Sequence, residues 1–261
     1  MRVVPASDLH IEFPLTNLGR AIAFPEDTDV IVLAGDIEVG MYASGETLDI
    51  SNRFPSAHVV WVAGNHEFYE HNIDNQINQY REACEGADRV HFLENDSVEI
   101  GSIRFIGCTL WTDFSLLGDP EQAMTVAERS ISDFSLIKTR EGAWFTPQDA
   151  ADRFEESCRY LKKELSNGEP ARTVVVTHFP PGLATRNQNF GTDAITAYFQ
   201  ANVDPIIDKY QPALWVYGHN HYSNDLKRGR TRLVSNQLGY PSEAGYIPAY
   251  NAKKTLYLNS D

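Results

Sequence analysis

The sequence contains few cysteines, and they show no pairing pattern. Cys84, Cys108 and Cys158 are scattered through 261 residues, and none of them lies in a C-x-x-C spacing. An odd number of widely spaced cysteines argues against a disulfide scaffold and against a zinc ribbon. It favours reduced thiols, which are typical of proteins in the cytoplasm.

Long hydrophobic runs are missing as well. No apolar stretch approaches the ~20 residues that a membrane-spanning helix needs. The N-terminal RVVPASD reads as a strand and lacks the apolar centre of a signal peptide. We therefore expect a cytoplasmic protein without a membrane partner.

Basic charge is scarce. The 22 Lys and Arg residues are outnumbered by 36 Asp and Glu residues, and the formal net charge is −14. Binding long nucleic acid requires a basic surface, so this balance argues against such a partner. It still allows a nucleotide or another small phosphoester, because bound cations can offset local carboxylates. We expect residues 1–261 to form one globular domain.

What the sequence does contain is a series of short apolar runs, each followed by polar residues or glycine. The runs are RVVPASDLH, DVIVLAGD, HVVWVAGNHE, SIRFIGCTLW, RTVVVTH and ALWVYGHNH. Their lengths and their Val and Ile content predict buried strands rather than helices.

Amphipathic patterns predict helices over residues 72–85 and 147–165, the second with Thr146 as its N-cap. Further on, LKRGRTRLVSN predicts a β-hairpin and TLYL a final strand. Residues 114–141 have the least regular pattern, and we interpret them as a possible lid or insertion over a site.

Polar residues follow the predicted strands at the points where the strands end. The motifs, in chain order, are Asp8-Leu9-His10, Gly35-Asp36, Gly64-Asn65-His66-Glu67, His178 and Gly218-His219-Asn220-His221. Ligands of open α/β sheets gather at the carboxyl ends of strands, so these motifs can converge on one point. The other three histidines, His58, His71 and His91, do not follow strands, and we interpret them as surface or packing residues.

The residue types at the strand ends suit metal ions. Carboxylates, imidazoles and an amide oxygen, without a thiolate, form a ligand set for Mn²⁺, Zn²⁺ or iron. The number of candidate groups suits two ions rather than one. A carboxylate can bridge such a pair, and paired ions can hold a hydroxide and clamp a phosphoryl group.

Taken in this order, Asp-x-His, Gly-Asp, Gly-Asn-His-Glu, a lone His and Gly-His-x-His resemble the motifs of the calcineurin-like metallophosphoesterases. The motifs extend from residue 8 to residue 221, which is most of the chain. The resemblance implies an α/β (α+β) fold, namely a four-layer α/β/β/α sandwich with two mixed β-sheets flanked by helices. It also implies a dinuclear metal site at one end of that sandwich.

The resemblance also implies which metal ions are bound and what role the motif residues have. It implies two divalent or trivalent ions, with Mn²⁺ as the first expectation and iron or Zn²⁺ as alternatives. His66 would be catalytic, donating a proton to the leaving-group oxygen while a metal-bridging hydroxide attacks phosphorus. The implied metal ligands are Asp8, His10 and His221 for one ion, Asn65, His178 and His219 for the other, and Asp36 as the bridge.

The sequence differs from the protein-phosphatase branch of this superfamily in its second and third motifs, and these differences indicate which branch it resembles more. That branch continues its second motif as Gly-Asp-x-x-Asp-Arg-Gly and places an arginine before Gly-Asn-His-Glu. Here Val39 and Gly40 replace the Asp and Arg, and Ala63 replaces the arginine. The sequence is therefore more similar to the small bacterial and phage-type phosphoesterases.

These observations predict a metal-dependent phosphoesterase that acts on a small nucleotide-type phosphodiester or phosphomonoester. A nuclease of the same superfamily and a non-catalytic scaffold on the same fold are the alternatives. A metallo-β-lactamase-type hydrolase would need an early His-x-His-x-Asp-His run, which this sequence does not contain.

For several residues near the motifs, the sequence allows more than one role. Glu38 and Glu67 are both candidates to orient His66, and Glu67 is equally compatible with a structural acceptor role. Arg186, in the loop after His178, could meet a substrate phosphate, although a solvated loop arginine is the interpretation that we favour. Tyr69 could stack on a base, but packing is the simpler role.

Overall fold

The computed structural model describes residues 1–13, 23–139, 142–243, 245 and 250–259. The strands in these ranges are β1 Arg2–Ala6, β2 Val30–Ala34, β3 His58–Val62, β4 Val90–Phe92, β5 Asp96–Ile100, β6 Ile103–Cys108, β7 Thr173–Thr177, β8 Leu214–Tyr217, β9 Asp225–Arg228, β10 Thr231–Ser235 and β11 Leu256–Tyr257. The α-helices are α1 Met41–Arg53, α2 Ile73–Cys84, α3 Pro120–Ser130, α4 Asp133–Leu136, α5 Pro147–Asn167 and α6 Asp204–Tyr210.

The strands form two mixed sheets. The first has the order β11-β1-β2-β3-β4 and is parallel except for β11. The second has the order β5-β6-β7-β8-β10-β9, with antiparallel pairs at both edges and a parallel centre. Because β1, β2 and β3 run parallel, as do β7 and β8, the residues that follow each set emerge together at one edge of its sheet.

Successive residues of each strand point to opposite faces of its sheet, and this alternation explains how the sheets and helices pack in layers. Val30 and Val32 point into a cluster with Val174 and Val176 of the second sheet, so the two sheets pack face to face. The intervening residues, such as Ile31, point to the other face and join a larger cluster with the helices. All the layers of the expected α/β/β/α sandwich are present, and the fold class is confirmed.

Most of the predicted elements are found. Each of the six apolar runs contains a strand, and the hairpin forms between β9 and β10. The two predicted helices correspond to α2 and α5. Thr146 caps α5 by accepting from the backbone N–H of Asp149, whose carboxylate in turn accepts from the backbone N–H of Thr146.

Residues 114–141 have more regular structure than their sequence pattern suggests. This segment contains α3 and α4, although its last two residues lie outside the described part of the chain. α3 begins with Asp119 as N-cap and Pro120 in its first turn, and it buries only Ala123 and Ala127. Because the buried side of α3 consists of only these two alanines, the sequence shows only a weak helical repeat of apolar residues. For this reason the helix was not predicted from the sequence.

Among the described residues, no helix has both the length and the apolar character needed to cross a membrane.

Candidate metal centre

The seven predicted ligands come together at one end of the sandwich, in the loops that follow β1, β2, β3, β7 and β8. All of their side chains are buried. Their ligand atoms form two groups in which every atom lies within 4.8 Å of the others: Asp8, His10 and His221 in one, and Asp36, His178 and His219 in the other. Asn65 adjoins the second group through its side-chain oxygen, 3.1 Å from His178 Nε2 and 3.1 Å from His219 Nδ1.

The backbone at this centre is strained. Five of the seven predicted ligands have left-handed φ angles, namely Asp8 (52°), His10 (45°), Asp36 (53°), His219 (75°) and His221 (50°). A non-glycine residue in this region costs about 1–3 kcal/mol and persists only when its surroundings impose it. Such a concentration of strain in five ligand positions is typical of a functional site.

Two motif glycines are required because there is no room beside them for a side chain. A Cβ on Gly218 would lie 2.6 Å from Asp8 Oδ2 and 2.8 Å from the carbonyl oxygen of Ala34. A Cβ on Gly64 would overlap the carboxylate of Asp36. The glycines of the third and fifth motifs therefore let two strand ends approach the carboxylates closely.

In the first group, two histidines present lone pairs to one another. His10 Nδ1 lies 2.9 Å from Glu12 Oε1, and His221 Nδ1 lies 2.6 Å from Glu243 Oε2. A carboxylate accepts only, so each Nδ1 carries the proton and each Nε2 is free to act as a ligand. The two Nε2 atoms face each other at 3.0 Å, an arrangement that a cation between or beside them would stabilise.

The second group shows the same convergence. His178 Nδ1 donates to the carbonyl oxygen of Ala34 at 2.8 Å, which leaves its Nε2 free to act as a ligand. That Nε2 lies 3.1 Å from His219 Nδ1 and 3.1 Å from the Asn65 side-chain oxygen. These three side chains, together with Asp36, therefore bring their potential ligand atoms to one point, as the ligands of a single metal ion would.

Asp36 links the two groups. Its Oδ2 lies 3.8 Å from His10 Nε2 in the first group, and its Oδ1 lies 3.5 Å from His178 Nε2 in the second. The carboxylate thus faces both sets of imidazoles, as a bridging ligand must. The donor set as a whole fits two divalent ions that prefer oxygen and imidazole ligands.

The titration behaviour follows from this crowding. Burial lowers the pKa of His178, but the Asp36 carboxylate outweighs burial and raises it to about 9. Burial, together with the neighbouring His178, lowers the pKa of His219 well below its usual range. For Asp36, burial is outweighed by the imidazoles of His178 and His66, so the pKa of this carboxyl is held well below its ordinary value. The Asp36 carboxylate is therefore ionised, as metal binding requires.

His66 lies beside this centre and outside both groups of predicted ligands. Its Nδ1 is 2.9 Å from Glu12 Oε1, and its Nε2 is 3.0 Å from the hydroxyl of Tyr240. Burial lowers the pKa of His66, but Asp36 and Glu12 outweigh burial and raise it to about 9. Glu12 therefore holds the ring in place and keeps it protonated.

The two candidates that the sequence offered for orienting His66 are both wrong. Glu67 accepts from the backbone N–H groups of Asp36 (3.0 Å), Ile37 (2.8 Å) and Gly64 (2.8 Å), so it fixes the loops around the centre. Glu38 accepts from the backbone N–H of its neighbour Val39 at 3.2 Å. Of the two roles considered for Glu67, the structural one is found.

Asp133 fixes the orientation of Asn65. Its Oδ1 accepts from Asn65 Nδ2 at 3.0 Å and from the Tyr69 hydroxyl at 2.9 Å, and its Oδ2 accepts from the Tyr198 hydroxyl. Because the Asn65 amino group is engaged in this way, the Asn65 oxygen must point toward the second group. Asp133 belongs to α4, within the segment interpreted from sequence as a possible lid, and its side chain is completely buried.

Sequence reasoning missed Glu12, Asp133, Tyr240 and Glu243. A signal was available only for Glu12, which lies two residues after the Asp-x-His motif. The others come from segments without a motif, and only the fold brings them to the centre.

A cavity of about 560 Å³ opens above the centre and is lined in part by Asp36, Asn65, His66, His219 and His221. Its volume falls in the range of small-molecule sites. The structure thus combines candidate metal ligands, a protonated histidine and space for a ligand of nucleotide size.

Comparisons with known proteins agree with this geometry. A family model described as calcineurin-like phosphoesterase matches residues 1–223. An uncharacterised protein of Acanthamoeba polyphaga mimivirus is 27% identical over 271 residues, which cover 94% of this chain and 93% of that protein.

Two solved structures are similar in fold. The phosphopantetheinyl hydrolase from Mycobacterium tuberculosis has a TM-score of 0.74 and 19% identity, with 97% of this chain and 95% of that chain covered. A protein from Thermus thermophilus has a TM-score of 0.54 and 12% identity, with 90% of this chain and 88% of that chain covered.

Proposed function

This chain belongs to the calcineurin-like phosphoesterase family, and on that premise we propose that it hydrolyses a small phosphate ester with the help of two divalent metal ions. The substrate is a nucleotide-type phosphodiester or phosphomonoester. One ion is held by Asp8, His10 and His221 and the other by Asn65, His178 and His219, with Asp36 between them. Mn²⁺ is the proposed metal.

The convergence of ligand atoms on both sides of Asp36 carries this proposal. Glu12 and Glu243 accept hydrogen bonds from Nδ1 of His10 and His221, and so they direct the two Nε2 atoms inward. The two Nε2 atoms lie 3.0 Å apart in a buried centre, close enough for one cation to be held by both. When bound, the ions would polarise the phosphoryl group and make water acidic enough to serve as nucleophile near neutral pH.

His66 supplies the proton for the leaving group. Its Nδ1 is held by Glu12, so the protonated Nε2 faces the cavity and can reach an oxygen that occupies the position next to the Tyr240 hydroxyl. Bound cations would offset the charge of Asp36, and Glu12 is then the carboxylate that keeps the His66 imidazole charged.

Replacing His66 by alanine should leave metal binding intact and slow turnover by about 10²–10⁴-fold on esters with a poor leaving group. The loss should be much smaller on p-nitrophenyl esters, because p-nitrophenolate departs without a proton. Steady-state kinetics on an alkyl and a p-nitrophenyl ester measure the difference, and His91→Ala, at a histidine paired with His58 away from the centre, is the matched control. Equal losses on the two esters would argue against proton donation.

The function itself is tested by a substrate panel with the Mn²⁺-loaded protein. The panel contains bis-p-nitrophenyl phosphate, p-nitrophenyl phosphate and cyclic nucleotides. It also contains a phosphopantetheinyl ester, because the phosphopantetheinyl hydrolase from M. tuberculosis is similar in fold. We expect chelator-sensitive hydrolysis of at least one of them and two ions per chain by elemental analysis.

Three results would count against parts of the proposal. One ion per chain would contradict the dinuclear centre, and hydrolysis that persists in chelator would contradict the metal requirement. Faster cleavage of single-stranded DNA than of every small ester would favour the nuclease alternative.

A further inference from the structure

Arg186 is the only lysine or arginine among the described residues that line the cavity above the metal centre. It lies in the loop after β7, between Thr185 and Asn187. The carboxylates of Asp36, Asp133, Asp193 and Glu243 also line the cavity, but Arg186 forms no ion pair with any of these four. A guanidinium in this place needs an explanation, because no carboxylate in the described ranges pairs with it.

The backbone on both sides of Arg186 is tied to the Gly-His-x-His motif. The carbonyl oxygen of Thr185 accepts from Asn220 Nδ2 at 2.8 Å, and Asn187 Nδ2 donates to the carbonyl oxygen of Asn220 at 3.1 Å. Asn220 stands between the proposed ligands His219 and His221. These two hydrogen bonds therefore fix Arg186 next to the metal centre and not merely in a neighbouring loop.

Within the part of the chain that the structure describes, the side chain of Arg186 lacks partners of its own. Its Nε is buried and has no hydrogen-bond partner, and no carboxylate in the described part of the chain pairs with its guanidinium. A buried donor without an acceptor costs about 1–3 kcal/mol. An anionic oxygen in the cavity would remove this cost, because the guanidinium matches phosphate geometry with two parallel donors.

The wall beside Arg186 is apolar. Ile131, Ile195 and Phe199 are partly buried and line the cavity, and Phe190 lines it with 69% of its surface exposed. An exposed phenylalanine at the mouth of a cavity offers a face for stacking to a planar group.

We propose that Arg186 and this apolar wall form a substrate-recognition subsite. The guanidinium binds an anionic oxygen of the substrate, and the wall packs against a planar or apolar group attached to the phosphate. The substrate class is accordingly a phosphoester of a compact ring system, such as a nucleoside. This subsite rests on the proposed function, because it lies beside the proposed metal ligands His219 and His221.

The anionic oxygen can belong to the reacting phosphate or to a second anion on the substrate. A matched pair of substrates separates the two cases: the p-nitrophenyl ester of thymidine 5′-phosphate with and without a phosphate on its 3′ oxygen. We expect Arg186→Gln in the Mn²⁺-loaded protein to lower kcat/KM by about 10- to 100-fold, mainly by raising KM. An equal loss on both substrates assigns Arg186 to the reacting phosphate, and a loss confined to the bisphosphate assigns it to the second anion.

Binding gives a readout that does not depend on turnover. Calorimetric titration of thymidine 5′-monophosphate and thymidine 3′,5′-bisphosphate into the same variants should show a similar loss of affinity in Arg186→Gln and partial recovery in Arg186→Lys. Arg230→Gln, at an exposed arginine of the β9–β10 hairpin, is the control and should match the parent.

The results distinguish this inference from the proposed function. If the parent protein turns over neither substrate but Arg186→Gln still weakens nucleotide binding, the proposed function fails on this pair and the subsite stands. If Arg186→Gln matches the parent in binding and in kcat/KM, the subsite is overturned, whatever the parent hydrolyses.

Discussion

Asp36→Asn should abolish turnover and reduce the metal content below two ions per chain. Asp36 is the carboxylate that faces both ligand groups, with one oxygen 3.8 Å from His10 Nε2 and the other 3.5 Å from His178 Nε2. Asparagine keeps the shape of the side chain and can still accept from the backbone N–H of His66, but it brings no negative charge between two cations. A loss of several kcal/mol of charge stabilisation corresponds to at least ~10³-fold in kcat.

The measurement combines elemental analysis with kinetics on the best substrate of the panel. Asp152→Asn, at an exposed carboxylate on α5, serves as the control for loss of one negative charge. The variant should fold, since an isosteric amide adds no volume to a close-packed centre. A variant that retains two tightly bound ions and normal kcat would show that Asp36 is not the bridge.

Asp133→Ala should destabilise the protein and weaken the second metal position at the same time. The carboxylate accepts from Asn65, Tyr69 and Tyr198, and alanine would leave the hydroxyls of Tyr69 and Tyr198 without this acceptor and Asn65 Nδ2 with only the Tyr69 oxygen. With about 1–3 kcal/mol for each unsatisfied donor, a loss of several kcal/mol in the free energy of unfolding is expected. Asn65 would also lose the contact that turns its oxygen toward His178, so we expect about 10- to 100-fold weaker binding of one ion.

A comparison with Tyr198→Phe separates the two effects. That substitution removes one of the hydroxyls that Asp133 accepts from and leaves the Asn65 contact in place, so it should lower stability without changing metal affinity. Denaturant unfolding gives the first quantity and Mn²⁺ titration of the metal-free protein gives the second. If Asp133→Asn and Asp133→Ala both bind two ions as tightly as the parent, Asp133 does not position Asn65.

These two predictions differ in how far the sequence anticipated them. Asp36 follows a run of five buried residues and precedes its partners in a recognisable series of motifs, so a local pattern was enough to single it out. Asp133 lies in the short helix α4, in a segment whose apolar pattern is weak. Its side chain meets Asn65 from 68 positions away, and no spacing rule connects residues so far apart.

The secondary structure shows the same difference between elements that a local sequence pattern predicts and elements that depend on distant contacts. Strands and the helix α5 were predictable because β-branched runs, a proline in the first turn and a capping threonine act within a few residues. The weaker helices α1 and α3 were missed. Their burial depends on neighbours contributed by distant segments, such as α2 against α1, more than on their own periodicity.

The sequence by itself determined which residue types end each strand, and hence the family and the predicted set of metal ligands, because strand formation and motif spacing are local properties. Only the tertiary structure decided what surrounds those ligands. It showed that Glu12 and not Glu38 or Glu67 orients His66 and that Asp133 turns Asn65. It also showed that Arg186 lines the cavity without a partner among the described residues. The physical reason is that hydrogen bonds and ion pairs depend on distance in space, which chain separation does not encode.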